Sequence, residues 1–421
     1  MSKLKHLTLY SLFFLLPLTS YAAPSVSFTP SRTTGVAPLA VFFDATATTD
    51  TAVTSRPFHE LEYTWNFGDN DAVTWSYGSN PGVNKKNRAK GPVAGHVHET
   101  PGTYTVTLTV TNGTEQSTSQ TTITVTDPDT VFSSNTLCVS TSGTFSGCPF
   151  GATQLTSNDF DDVINTTAGN GATYKRILFR RGETFTSSTD GQLRADGPGI
   201  VGAYGSGAKP IISGSGPYPK ISVGVFSTGN LDFGDWRIMD LDFDGIDRNS
   251  VSKGLYASGP ATRITVINST FRNLYLGIES QLSSLDIANS TSQLAPIWNE
   301  WFVVDSVFTG NTAYGFLVNL FRSALMGNYA IATQGEHAMR IQHTQKIFIS
   351  NNDLYGSPTG TALTIRGWAW ELINRTSGNQ YTLPAYSYSE ESVVSDNKIV
   401  SHSSALPYTY ASPNATEHPR L

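Results

Sequence analysis

Ile347-Phe348-Ile349-Ser350-Asn351-Asn352-Asp353-Leu354 is the stretch that decides the fold, because its outline recurs along the chain. Ile238-Met-Asp-Leu241-Asp-Phe243, Ile264-Thr-Val266-Ile-Asn268-Ser-Thr-Phe271, Phe302-Val-Val304-Asp305-Ser-Val-Phe308 and Val393-Val-Ser-Asp396-Asn-Lys-Ile399 each run through apolar residues, reach Asn or Asp, and close on one last apolar residue. A second apolar stretch follows most of them: Gly254-Leu-Tyr-Ala257, Leu276-Gly-Ile278-Glu279, Gly315-Phe316-Leu-Val318 and Ala362-Leu363-Thr-Ile365. Ala338-Met339-Arg-Ile341 fills the same slot after Leu325-Met-Gly-Asn-Tyr329. Repeats of roughly 20 to 45 residues, each too small to bury its own apolar face, stack on one another. Short strands joined by turns, with almost no helical periodicity, make the expected fold of residues 130–421 a β-solenoid. Inward Val, Ile, Leu and Phe should stack coil on coil, with Asn or Asp laddering at a corner through side-chain hydrogen bonds.

The repeat implies a register. If Ile278, Phe316, Met339 and Leu363 share an inward column, then Glu279, Leu317, Arg340 and Thr364 form the adjacent outward one, because strand side chains alternate. Gln281, Asn319, Gln342 and Arg366 should share a second outward column. Arg340 and Arg366 then face the same way on coils about 5 Å apart. Glu336 and His337 enter this face from a turn, His343 leaves it, and Lys346 stands behind.

Residues 24–127 show a different β pattern. Leu39-Ala-Val41-Phe-Phe43, Tyr63-Thr-Trp65-Asn-Phe67 and the period-2 run Thr103–Thr111, closed by Asn112-Gly113, predict a β-sandwich in which Thr121–Thr126 pairs back. Ser157–Ile164 predicts a short helix capped by Ser157 or Asn158. Lys85-Lys86-Asn87-Arg88-Ala89-Lys90 is expected to be a solvated loop tip.

The ends and the composition set the context. Lys3 and Lys5, the apolar run Leu7–Leu18 and Ser20-Tyr21-Ala22 predict a signal peptide over residues 1–22, hence a secreted or periplasmic protein. That run is shorter than the ~20 residues a membrane-spanning helix needs, and no later segment predicts a span. A net charge of −6 and the absence of a basic stripe argue against nucleic acid. Cys138 and Cys148 are the only cysteines and predict a small disulfide-closed loop. After Ile399 no capping element is legible, so a C-terminal truncation is expected.

Gly35-Val-Ala-Pro-Leu39, Tyr63-Thr-Trp65-Asn-Phe67-Gly68-Asp69 and His98-Glu-Thr-Pro101-Gly102-Thr-Tyr104 resemble the marker segments of a PKD domain, an immunoglobulin-like sandwich. The resemblance implies a core role for Trp65 and a hairpin closed by Gly68-Asp69. An insertion from Asn70 to about Gly95 departs from the compact pattern; its Trp75 and Tyr77 pack on their own domain or touch a partner. The repeats resemble the right-handed parallel β-helix of the pectate-lyase-like superfamily, so the fold class expected is all-β, a sandwich followed by that β-helix.

The charged residues suggest a reaction. Breaking a uronic-acid glycosidic bond by β-elimination needs a cation or donor at the carboxylate and a base at C5. Arg340 and Arg366 suit the carboxylate, since guanidinium pairs bidentately; His337 and His343 are the candidate bases, with Lys346 behind them. Glu336, Gln342, Trp368 and Trp370 are candidate substrate-binding residues, the tryptophans as a sugar-stacking wall or as a cover for the core edge. The expected partner is an anionic polysaccharide. A non-catalytic glycan-binding or adhesin-type surface protein is the alternative, and an exposed sheet needs polar residues in any case. Hydrolysis is disfavoured because carboxylates do not cluster near Arg340. Asp240-Leu-Asp242-Phe-Asp244-Gly245 starts like a Ca²⁺ loop but has Val251 where the bidentate Glu belongs, so Ca²⁺ is weakly supported and no metal ligands are assigned.

Overall fold

The computed structural model describes residues 22–168, 173–224, 233–246, 252–257, 259, 261–280, 298–332, 336–358, 360–365 and 391–400. The period-2 run forms the long strand Gly102–Thr111, which pairs antiparallel with Gln116–Thr126 and with Glu62–Asn66. Arg88–Lys90 and Thr34–Val36 complete that sheet, and Thr29–Pro30, Leu39–Asp44 and Val93–His98 form the sheet facing it. Trp65 is fully buried between them against Phe28, Phe43 and Phe67, and its indole N–H donates to the Gly91 carbonyl at 2.8 Å.

From Thr136 onward the strands pair parallel and fall on three faces in turn, the arrangement of a parallel β-helix. The first face carries Trp236–Met239, Thr265–Ile267, Phe302–Val304 and Val393–Ser395. The second carries Asp242–Asp244, Thr270–Arg272, Val307–Thr309, Tyr329–Ile331, Asp353–Tyr355 and Lys398–Val400. The third carries Pro219–Val223, Lys253–Ala257, Leu276–Ser280 and Leu363–Ile365. Two long strands, Tyr314–Met326 and Met339–Ser350, begin on the third face and end on the first.

The recurring outline is one corner of this helix. Asp240, Asn268, Asp305, Gly327, Asn351 and Asp396 all take positive φ between the first and second faces, a conformation that Asn, Asp and Gly adopt most readily. The residue after each turns inward, and there Asn328, Asn352 and Asn397 form a ladder. Asn352 Nδ2 donates to the Leu325 carbonyl and to Asn397 Oδ1, while its Oδ1 accepts from the Asn328 backbone and side-chain amides, at 2.8–2.9 Å. The closing apolar residue enters the core in all but the last outline: Phe243, Phe271 and Phe308 stack with centroids 5.0 and 4.8 Å apart, Ala330 and Leu354 continue the register, and Ile399 keeps the register but is exposed.

The sandwich lies against the first face. Leu39–Asp44 and Val93–His98 direct alternate residues to the sandwich core and to the β-helix. Ala40, Phe42, Val93 and Val97 meet Ile267, Phe302, Val304, Met326 and Phe348. A Cβ on Gly95 would stand 2.5 Å from Ala324 Cβ, so glycine allows the close approach. Fully buried Arg237 donates to the Pro38 and Val36 carbonyls.

Several expectations are corrected by this contact. Trp75 and Tyr77 reach the β-helix: Trp75 joins the apolar contact between domains, clustered with Ala40 and Phe42 of its own sandwich and lying over Gly327, and Tyr77 meets Tyr329. Lys85–Lys90 is not a solvated tip, since Arg88–Lys90 is a strand and Lys86 pairs with Asp305 at 2.5 Å and Glu99 at 3.4 Å. The short helix runs Phe160–Thr167 with Asp159 as its N-cap, accepting from the Asp162 backbone N–H. Phe160 is fully buried, and its place in the core sets the start of the helix one residue beyond the expected caps.

Candidate functional site

The third face carries the predicted constellation, and its register agrees with the repeat: Ile278↔Phe316↔Met339↔Leu363 face inward, Glu279↔Leu317↔Arg340↔Thr364 outward. The second outward column does not hold. The pairing slips between Val318 and Asn319, so Asn319 pairs with His343 and Gln342 becomes the extra residue of a β-bulge, buried at 7% exposure. A bulge inserts one residue without disturbing the apolar pattern on either side. Gln281, Arg366, Trp368 and Trp370, and the side chain of His343, lie outside the described residues.

What the face assembles is a half-buried polar strip across successive coils: Lys253 and Tyr256, Glu279, Tyr314, Glu336 with His337 and Arg340, then Thr361 with Thr364. At a strand spacing of ~4.8 Å it extends roughly 19 Å along the helix axis. Lys253 pairs with Glu279 one coil on, and its ammonium stands 3.9 Å from the centre of the Tyr256 ring. Arg340 Nη1 donates to the Tyr314 hydroxyl at 2.7 Å. Burial pushes the Tyr314 phenol up to about 12, opposed by Arg340 and reinforced by Glu336, so it is protonated at neutral pH.

His337 takes its role from Thr361. The Thr361 backbone N–H donates to His337 Nδ1 at 2.9 Å, and a peptide N–H has no other option. Neutral His337 therefore carries its proton on Nε2, a tautomer assigned from this bond, and that nitrogen stands 3.8 Å from Glu336 Oε2. The side chains of Glu336 and His337 do converge. The basic lone pair at Nδ1 is already engaged.

Lys346 lies elsewhere. It sits at positive φ on the corner between the third and first faces, in line with Asp235, Arg263, Glu300, Arg322 and Glu391. Its amine pairs with Asp44 of the sandwich at 2.6 Å and Glu391 of the next coil at 3.4 Å. Burial acts to lower its pKa, but those carboxylates outweigh it and raise the pKa. It is a structural cation at the domain junction. Asp242 and Asp244 of the Ca²⁺-like segment are likewise occupied, held by Arg272. Tyr314, Lys253 and Tyr256 were missed by sequence reasoning; strict alternation puts Tyr314 on the same side as inward Phe316, so the pattern carried no signal for it.

Residues 21–126 match the family model of the PKD domain. The chain is thus a PKD sandwich seated on a parallel β-helix. No curated protein matches it. Among solved structures it is similar to one titled for carbohydrate-binding modules of the β-sandwich superfamily, with 26% identity, TM-score 0.20, and coverage of 26% of this chain and 36% of that one. It is also similar to the Agl-KA catalytic domain, with 10% identity, TM-score 0.30, and coverage of 79% of this chain and 65% of that one. The chain spans less than two thirds of either. A disulfide joins Cys138 and Cys148, and among the described residues no helix is long and apolar enough to cross a membrane.

Proposed function

We propose that the protein is exported and carbohydrate-active, seating an acidic polysaccharide along the third face of its β-helix and cleaving it by β-elimination. The observation that carries this reading is the donor character of the strip. Arg340, His337, Tyr314 and Thr364 crowd onto adjacent coils, with Arg340 bonded to the Tyr314 hydroxyl and Thr364 to Thr361. Such a set suits a ligand rich in acceptors and negative charge. Export rests on the first 22 residues, and the disulfide suits an oxidising compartment.

In elimination, Arg340 holds the uronate carboxylate and stabilises the enolate formed when C5–H breaks. His337 acts as a donor on this reading, and the base falls to His343, the remaining histidine of the constellation. Capture without cleavage is the second reading, favoured by the engagement of His337 Nδ1 and by the protonated Tyr314. Incubation with alginate, pectate and glycosaminoglycans separates the two. Ultraviolet-absorbing unsaturated uronic products that vanish in Arg340→Ala support elimination. Binding without product supports capture, and neither with any substrate defeats the proposal.

A further inference from the structure

The sandwich core holds a buried cluster of titratable side chains. Strand Val93–His98 directs Val93, Gly95 and Val97 to the β-helix, and therefore Ala94, His96 and His98 inward. His96 stacks on Phe67 with centroids 4.5 Å apart, and its Nε2 stands 3.0 Å from Asp69 Oδ2. Asp69 is itself buried, in the turn after Gly68, with its backbone N–H donating to Asn87 Oδ1 at 2.9 Å.

His98 lies beside this pair, fully buried between the His96 and Tyr104 rings, at 4.5 and 4.3 Å. Neither its Nδ1 nor its Nε2 has a hydrogen-bond partner. A buried donor or acceptor left unpaired costs about 1–3 kcal/mol, and a phenylalanine in this slot would avoid that cost. A histidine there needs a reason. One ligand atom from each of Asp69, His96 and His98 lies within 4.8 Å of the others. Atoms bound at ~2.0–2.2 Å to one tetrahedral ion stand roughly 3.3–3.6 Å apart, so side-chain rotations are needed to bring the three to a common centre.

We propose that Asp69, His96 and His98 bind a divalent transition-metal ion of the zinc class. Two imidazoles and a carboxylate suit zinc and its neighbours, whereas Ca²⁺ and Mg²⁺ take oxygen ligands. The ion ties the Gly68-Asp69 turn to the strand whose other side lies on the β-helix, and so stiffens the docking surface. Sequence reasoning assigned no metal ligands; the legible signal is His96-x-His98, which on a strand places both rings on one side.

Full-length protein stripped with a chelator and dialysed against Zn²⁺ alone is expected to retain a single equivalent and melt at a higher temperature than the stripped form. Co²⁺ in its place should give the visible absorption of nitrogen- and oxygen-bound cobalt. His98→Phe, which keeps the core filled, is expected to lose the bound equivalent and the shift. If that variant does not fold, Asp69→Asn, nearly unchanged in volume, carries the same comparison. No bound equivalent in the wild type, or wild-type stoichiometry and shift in the variants, overturns the site.

Discussion

A charged residue in this chain is given its task by the corner or strand it occupies. Arg340 and Lys346 stand six positions apart on one strand, yet Arg340 lies outward on the third face while Lys346 takes the left-handed corner conformation and pairs with Asp44 and Glu391. Glu183 shows the same dependence. Burial acts to raise its pKa, but hydrogen bonds from Ser142, the Thr141 backbone, Arg180 and Ser140 outweigh it and bring it to about 2. A carboxyl whose folded pKa is depressed adds stability that is present above its ordinary value of 4.5 and is lost as pH falls toward 2. Denaturant midpoints measured from pH 6 to pH 2 should fall less steeply in Glu183→Gln than in the wild type; parallel curves would remove Glu183 from the acid response. What sequence reveals at this scale is charge and alternation. Arg340 is placed by alternation, but Lys346 depends on a bend in the strand and a second domain, which alternation does not report.

The elements were the most legible part, because each coil repeats the same steric problem. Positive φ at the corner selects Asp240, Asn268, Asp305, Asn351 and Asp396, and the Phe243, Phe271 and Phe308 stack selects the closing apolar residue, so the outline survives as a pattern. The bulge at Gln342 left no such mark, since one extra residue keeps the local composition intact. The inner corner makes a quantitative prediction. Asn352→Ala removes an acceptor from the Asn328 backbone N–H and a donor from the Leu325 carbonyl in a fully buried site. Each orphaned group costs about 1–3 kcal/mol, so urea unfolding should show a loss in that range or above, and an unchanged midpoint would mean the ladder contributes nothing.

At the scale of the whole molecule, the sandwich closes one face of the β-helix. Ala40-Val41-Phe42-Phe43 is buried on both sides because its alternate residues serve two cores, and that unbroken apolar run was the sequence trace of docking. Which face would be covered was not legible, since the partners Ile267, Phe302 and Met326 are far away in sequence. Docking assigns the first face to structure, and the proposed function puts binding on the third. The most direct measurement of that claim is the affinity for an acidic polysaccharide of wild type, Arg340→Ala and Lys346→Ala, read by affinity electrophoresis in alginate and pectate gels. The account predicts that retardation is lost in Arg340→Ala and kept in folded Lys346→Ala; retardation kept in Arg340→Ala and lost in Lys346→Ala would contradict it.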